Sequence, residues 1–363
     1  MGGESHDGRW CGPLALLFLG GVVLFSLVGC TRGGFQFSHV DGSPAADADD
    51  REWSLLFELQ TTSLDPRVFT PTAEKSASPL RWELGDGTVV DTNSVDHPYD
   101  QVGTKLVRVL SSDGPLGLTE LSAGDQDLAG MIPAELGQLA NLQSLQLQTN
   151  QLTGSIPPEL GRLSELRDLG LSRNQLTGSI PAELGELSLL ETISFGKNKL
   201  TGSLPVELSK LSNVWYLALH ENQLTGPIPP EFGQLSSLRH LALYMNELTG
   251  AIPPELGELS DFTHLFLQRN NLTGSIPPEL GQLPYLQTLG LSENALEGSI
   301  PSTFSKLSML EVLYLHDNQL TGYEAGAFSG LTAIFRIHVQ NNLLDSTALT
   351  AIIGDLFADR ALH

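Results

Sequence analysis

The chain has 363 residues, 40% of them hydrophobic, with a mean hydropathy of −0.01, which is enough apolar material for a substantial core and excludes global disorder. Forty-two Asp and Glu against 19 Lys and Arg leave a formal charge of −23, which excludes nucleic acid and anionic membrane surfaces as partners, because phosphate binding needs clustered Lys and Arg. The only two cysteines, Cys11 and Cys30, both lie near the start of the chain, so packing without an internal disulfide must hold the rest of the fold.

Residues 13–28, PLALLFLGGVVLFSLV, form an uninterrupted apolar and small run. That length is short for a membrane span, which needs about 20 residues, and suits the hydrophobic region of a leader. The run leads into Leu27-Val28-Gly29-Cys30, which resembles the lipobox of bacterial lipoproteins. That resemblance implies cleavage before Cys30, lipidation of its sulfur, and attachment to the membrane through the lipid anchor alone, at the cell surface or outer membrane. Thr31 in place of Asp after the cysteine implies outer-membrane sorting in a two-membrane cell. The single Arg9, offset by Glu4 and Asp7, departs from the positive start of such leaders, and a plain secretory leader (a secreted protein) or short anchor helix is the alternative.

Residues 30–52 are rich in Gly, Asp, Ala and Ser and read as a flexible tether. Over residues 53–115, WSLLFEL, LRWEL and KLVRVL alternate between apolar and polar and are separated by turn signals, the pattern of a small antiparallel β unit. The segment Trp82-Glu83-Leu84-Gly85-Asp86-Gly87, followed by His97-Pro98-Tyr99 and Gly103-Thr104, resembles a PKD domain, and that resemblance implies a small β-sandwich. Asp86, Asp91, Asn93 and Asp96 crowd one loop; they read as solvated turn residues, with oxygen ligation of Ca²⁺ as the alternative.

From Leu118 the chain repeats with a 24-residue period. Asn150, Asn174, Asn198, Asn222, Asn246, Asn270, Asn294, Asn318 and Asn342 fall in strict register. The pattern L-x-x-L-x-L-x-x-N-x-L-x-G-x-I-P-x-x-L-G-x-L resembles the plant-type leucine-rich repeat. It implies an α/β solenoid, a right-handed array with one parallel concave β-sheet. Ten units over residues 116–344 begin near Leu118, Leu142, Leu166, Leu190, Val214, Leu238, Phe262, Leu286, Leu310 and Ile334. The leucines of L-x-L point inward because strand side chains alternate, and each Asn satisfies backbone groups at a buried bend. The β unit is expected to cap the array by continuing its sheet. At residues 345–363, Asp345 or Ser346 N-caps a helix whose Leu349, Ile352, Ile353 and Leu356 share one face, forming a C-terminal cap. The paired-cysteine caps of plant members are missing, which favours a prokaryotic one.

No H-E-x-x-H, G-x-S-x-G, P-loop or C-x-x-C motif occurs, so no enzyme, cofactor or metal is expected. The outward strand positions are free of scaffold duty and carry the functional information. Tyr216, His220, His240, Tyr244, His264 and Phe266 occupy them in units five to seven, and Tyr314, His316 and His338 in units nine and ten. Five of the nine histidines of the chain sit on this surface. Clustered aromatic and imidazole groups on a solvent face anchor protein or sugar interfaces, so the chain is expected to be a monomeric recognition protein for a protein or polysaccharide ligand. The alternatives are cross-strand packing that only stiffens a spacer or adhesion array, and a weak metal site on His240 and His264. The histidines imply altered affinity below about pH 6. Thr153, Thr177, Thr201, Thr225, Thr249 and Thr273, with Thr321 further on, give a hydroxyl row that resembles ice-binding solenoids. Asn271-Leu272-Thr273 is a glycosylation sequon.

Overall fold

The computed structural model describes residues 34–37, 54–62, 81–83, 88–91, 105–111, 118–125 and 128–358. The expected leader, the lipidation site Cys30 and most of the tether lie outside them, as do Asp86, Asn93 and Asp96 of the acidic loop.

Each repeat unit contributes one short strand to a ten-stranded parallel sheet that runs from Glu120–Ser122 to Arg336–His338. The ten strands correspond to the ten units counted in the sequence. Inward leucines such as Leu145, Leu147, Leu217 and Leu219 are at most 1% exposed, and each such burial stabilises the fold by roughly 2 kcal/mol. A lone unit has nothing to bury them against, so stacking supplies the stability. On the convex side the I-P-x-x-L-G segment becomes a 3-10 turn, for instance Pro230–Gln234 and Pro254–Glu258. Proline fits there because its fixed φ suits the first helical position and its missing N–H would have no partner.

The ladder asparagines join the units. Asn222 donates through Nδ2 to the carbonyls of Phe195 at 3.1 Å and Leu219 at 3.0 Å, while its Oδ1 accepts from the Leu200 N–H at 3.0 Å. The same geometry recurs from Asn150 to Asn342. Immediately before the ladder position stands a residue in the left-handed region, with φ between 54° and 61°, in all ten units from Asp125 to Asn341. Thr149 and Met245 are among them, although L side chains disfavour this region. Backbone bonds to the next unit compensate, such as Thr149 N–H to the Ser172 carbonyl at 2.8 Å.

A second set of strands follows the ladder asparagines, except Asn174, where an isolated bridge from Ser155 to Thr177 takes its place, and Asn342. Six of them, from Thr201–Ser203 to Gln319–Tyr323, form a flanking parallel sheet. Its register pairs Ser203 with Thr225 and Thr225 with Glu247, two positions short of the repeat period. Equivalent threonines of successive units are therefore staggered by two positions per strand, and the straight hydroxyl row expected from the sequence is an oblique one.

The three runs expected as N-terminal strands fold as Ser54–Thr62, Arg81–Glu83 and Lys105–Ser111, joined by Val89–Asp91. Gly34–Phe37, which lies within the segment read as tether, pairs antiparallel with Ser54–Thr62 and parallel with Leu128–Met131. Among the described residues these strands make one mixed sheet with Leu128–Met131 and Gln151–Thr153. It continues the flanking side of the array, whereas the expectation attached it to the concave sheet, whose first strand remains Glu120–Ser122. Asp91 gives both carboxylate oxygens to Arg81, at 2.8 and 2.9 Å. This bidentate pair commits the Asp91 carboxylate to a cross-strand partner and removes it from any calcium set.

At the other end the helix Ser346–Ala358 begins with Asp345 Oδ1 accepting from the Ala348 N–H at 2.7 Å. The apolar face expected to be buried divides: Ile352 is 4% exposed and Leu356 packs against the core, whereas Leu349 and Ile353 are exposed. The cause is geometric, since 349 and 353 lie on a neighbouring stripe one position round from 352 and 356.

Candidate ligand-binding face

From the second unit onward, only Asp168 and Arg336 carry charge among the outward strand positions, so the concave floor is almost neutral in a chain of net charge −23. Charge is displaced to the rims, where Arg167 pairs with Glu191 at 2.6 Å, Lys197 with Glu221 at 3.2 Å and Arg269 with Glu293 at 2.8 Å. Such exposed pairs each stabilise by at most about 1 kcal/mol.

The structure brings the sequence-predicted side chains into two groups. In register, Tyr216, His240 and His264 stand side by side across three strands, as do Ala218, Ala242 and Phe266. His240 and His264 stack with ring centroids 4.3 Å apart, and His220 and Tyr244 stack at 4.5 Å, each pair within 14° of parallel. Tyr216 lies 5.9 Å from His240, while Tyr244 and His264 approach Phe266 at 6.4 and 6.1 Å. The second group joins Tyr314 to His338 at 5.2 Å and His316 to His338 at 5.5 Å. Between the groups, unit eight contributes only Thr288, Gly290 and Ser292.

These rings do not stand freely in solvent. All except the exposed His338 are half-buried, largely in one another. Sequence reasoning also missed Trp215, whose facing strand alternation left open: its ring packs 5.7 Å from Tyr216 and 6.1 Å from His240. A second missed residue is Gly196, where a Cβ would sit 2.4 Å from Cε1 of His220. Gly196 and His220 occupy the same outward position in adjacent units, so comparing neighbouring units would have found the seat for the imidazole.

Stacking decides what the patch presents. The facing sides of His240 and His264 and of His220 and Tyr244 cover each other, Gly196 lies against His220, and His264 Nδ1 is bonded to Thr263 Oγ1 at 2.8 Å. His220 Nδ1, Gln268 Oε1 and His316 Nδ1 are buried with no hydrogen-bond partner; Gln268 Oε1 lies where a Cβ on Gly290 would be, 2.5 Å from it. The near-parallel rings of His240 and His264 hold their lone pairs in parallel planes that cannot converge on one ion. Among the described residues no group of three His, Cys, Asp or Glu side chains is placed to hold a metal.

Burial pushes the His240 imidazole down to about 4, with His264 and Arg239 adding to the effect, and also lowers His220 and His264. The Tyr244 hydroxyl is pushed up to about 12 by burial, with the Glu221 charge contributing. The pH-sensitive window expected near 6 therefore moves downward. Because folding lowers the His240 value from the ordinary 6.5, its contribution to stability is complete above pH 6.5 and is lost as pH falls toward 4. After allowance for solvent screening of a half-buried ring, the loss is about 1 to 2 kcal/mol. Urea unfolding at pH 6.5 and 4.5 should show wild type losing this much more than His240→Gln, and the His240 ring proton resonances should titrate near 4. A midpoint at 6.5 would refute the burial argument.

Stacked parallel strands, an asparagine ladder and convex 3-10 turns define a solenoid of leucine-rich repeats. The family model described as Leucine Rich Repeat matches residues 141–163, 165–187, 213–235, 237–259 and 261–283, and a second, Leucine rich repeat, matches 284–344. The leucine-rich-repeat ectodomain of the plant membrane receptor kinase GASSHO1/SCHENGEN3 from Arabidopsis thaliana, solved with CASPARIAN STRIP INTEGRITY FACTOR 2, is 39% identical over 62% of this chain and 27% of that one, with a TM-score of 0.61. The plant peptide hormone receptor RGFR1 in complex with RGF2 is 30% identical over 63% of this chain and 40% of that one, with a TM-score of 0.56. A plant ice-binding protein is 31% identical over 63% of this chain and 73% of that one, with a TM-score of 0.54. No curated protein matches the chain. The chain spans well under half the length of those two receptor structures. It belongs to the leucine-rich-repeat family.

Proposed function

We propose that the protein is a non-enzymatic recognition protein that binds an extended peptide or protein segment on the concave face of units five to ten. The observation that carries this reading is the ring patch on a nearly neutral floor, on the one surface that has no scaffold duty. A ligand laid across the strands covers the half-buried rings of Tyr216, His240 and Tyr244. Covered ring faces make a poor stacking platform for a pyranose, which ranks a polysaccharide below a peptide. The similar receptor structures, solved in complex with CASPARIAN STRIP INTEGRITY FACTOR 2 and with RGF2, support ligand binding by the repeats.

Replacing Tyr216, His240 and Tyr244 together with Ser should weaken capture of a surface or secreted partner by at least roughly 100-fold, since interface aromatics commonly contribute about 1 to 2 kcal/mol each. Pull-down with a thermal melt as folding control checks it; unchanged capture by a folded variant would remove the concave patch from the reading. The lipidated Cys30, a membrane attachment with surface localisation, and a PKD-like N-terminal unit complete the proposal, and mass spectrometry of the mature N-terminus tests the anchor.

A second reading, ice binding, is favoured by the likeness to the plant ice-binding protein and by the exposed row from Thr153 to Thr273. Hydroxyls pair laterally at Ser203 and Thr225 and at Ser155 and Thr177, but Glu247, Asn271 and Ala295 stand opposite the next threonines. Inhibition of ice recrystallisation that disappears in Thr225→Leu would promote this reading.

A further inference from the structure

Along the repeats Arg167, Lys197, Lys210, Arg239 and Arg269 each pair with a carboxylate. Among the described residues Arg173 of unit three pairs with none, and Lys199 of unit four has only the Gln175 amide oxygen, at 3.1 Å. Arg173 and Lys197 hold the left-handed position next to the outward row of Ser172, Gly196, His220 and Tyr244, and Lys199 follows two residues further round the bend. Glu221, in the next unit of the same rim, is engaged by Lys197 at 3.2 Å. Three cations against that single carboxylate leave two positive charges uncompensated on this stretch of rim. The stretch adjoins the ring patch. Burial is the first cause that lowers the His220 imidazole and raises the Tyr244 hydroxyl, but Lys197 and Arg173 also act on His220, and Arg173 on Tyr244. Their charges therefore reach the stacked pair.

We infer that the ligand of the concave face carries a short run of Asp or Glu that seats on Arg173, Lys197 and Lys199, next to apolar or aromatic residues that cover His220 and Tyr244. The inference rests on the peptide reading given above and adds units three and four to the site. Charge complementarity selects acids here against the trend of the whole molecule. A net charge of −23 favours a cationic ligand over most of the surface. At physiological salt, however, the field of an exposed charge decays over about 8 Å, so the nearest groups decide, and on this rim they are cationic. The Arg173 guanidinium, free of any ion pair, suits a bidentate carboxylate. From Arg173 to Tyr244 the surface crosses four units, about 14 Å, which roughly four extended residues span. One short peptide segment therefore reaches both the cations and the rings.

The test pans random peptides displayed on phage against the full chain. The recovered peptides should be enriched in Asp and Glu beside an aromatic or aliphatic residue, the opposite of what net charge alone predicts. Arg173→Glu with Lys199→Glu should abolish the acidic enrichment and weaken the best peptide at least about tenfold. Glu already stands at both places in other units, as Glu221 and Glu247, so the fold is kept. Arg162→Glu with Lys306→Glu, which reverses two cations of the convex turns where Glu258 is the equivalent residue, should change neither readout. The variant with Tyr216, His240 and Tyr244 replaced by Ser separates this inference from the reading beneath it. That variant should lose the apolar part of the consensus and keep the acidic part; a consensus it leaves unchanged sinks the ring reading alone. A neutral or basic consensus from the wild-type chain, no enrichment at all, or equal binding by the rim and convex variants would each overturn the inference.

Discussion

Asn222→Ala is expected to destabilise the protein by about 3 to 4 kcal/mol, although the removed amide is small and touches no proposed ligand. Its loss leaves the buried Leu200 N–H without its side-chain partner and removes one of two asparagine donors from each of the Phe195 and Leu219 carbonyls, which keep Asn198 and Asn246. A net hydrogen bond contributes about 1 kcal/mol, while leaving a buried group unsatisfied costs about 1 to 3 kcal/mol. Partial entry of water keeps the total below the simple sum. In a repeat array, stability is a sum of unit and neighbour terms, so unfolding should also split into two phases, one for units on either side of the lesion. Urea unfolding followed by far-UV circular dichroism and by tryptophan fluorescence in a variant that keeps Trp215 alone of the four tryptophans measures both. Asn222→Asp separates the contributions: it keeps an acceptor for the Leu200 N–H but sets charge against two carbonyls, and should be no better than Ala. A loss under about 1 kcal/mol for Asn222→Ala, no more than one ordinary hydrogen bond, would show that the ladder follows the fold without holding it.

The second large effect concerns Gly257. A Cβ there would lie 2.5 Å from the carbonyl oxygen of Glu279 and 2.6 Å from its carbon, and the obstacle is backbone that cannot rotate away. Gly137, Gly161, Gly185 and Gly233 face the next unit in the same manner. Ser209 and Ser305 occupy the equivalent place in two other units, so one Cβ is accommodated where the spacing opens. Gly257→Ala should accordingly cost about 1 kcal/mol and Gly257→Val about 3 kcal/mol. Equilibrium unfolding of the two variants gives the comparison. A Val variant within about 0.5 kcal/mol of wild type, the margin of harmless surface changes, would show that the convex turns yield easily.

The fold was legible in the sequence to the extent that one residue type meets one physical demand. Inward leucines, the asparagine ladder and the convex Ile-Pro turn each have a single structural solution, so their period gives the unit count and the strand positions. The left-handed residue before each ladder asparagine was not legible. Thr149, Glu221 and Met245 show no glycine or asparagine signature there, because backbone bonds to the next unit override local preference. The stagger of the flanking sheet was also hidden: the repeat period specifies which residues are equivalent, while the shorter pairing register depends on how one coil slides against the next. At the candidate site, alternation located Tyr216, His220, His240 and Tyr244. Their stacking, the seat at Gly196 and the packing of Trp215 beside Tyr216 and His240 depend on side-chain geometry across strands, and so does the lowered basicity of His240. Gly34–Phe37 was hidden because its partners lie about 25 and about 90 residues further along the chain.

The reach of the ladder bonds has a consequence for how such a chain can change. No ladder bond spans more than 27 residues, so duplication or loss of one internal unit leaves the surviving bonds intact. Singular contacts confine this freedom to the middle: Gly34–Phe37 against Leu128–Met131 at one end, and Tyr323 with Asp355 at the other. Phe266 and Tyr314 are held apart by the single strand of Gly290, about 10 Å in all. A tandem duplication of unit eight would widen that gap by about 5 Å without altering a ring in either group. Copy number, an inheritable integer, thus sets the pitch at which two recognition patches are read, and lineages could retune the ligand by slippage in place of substitution.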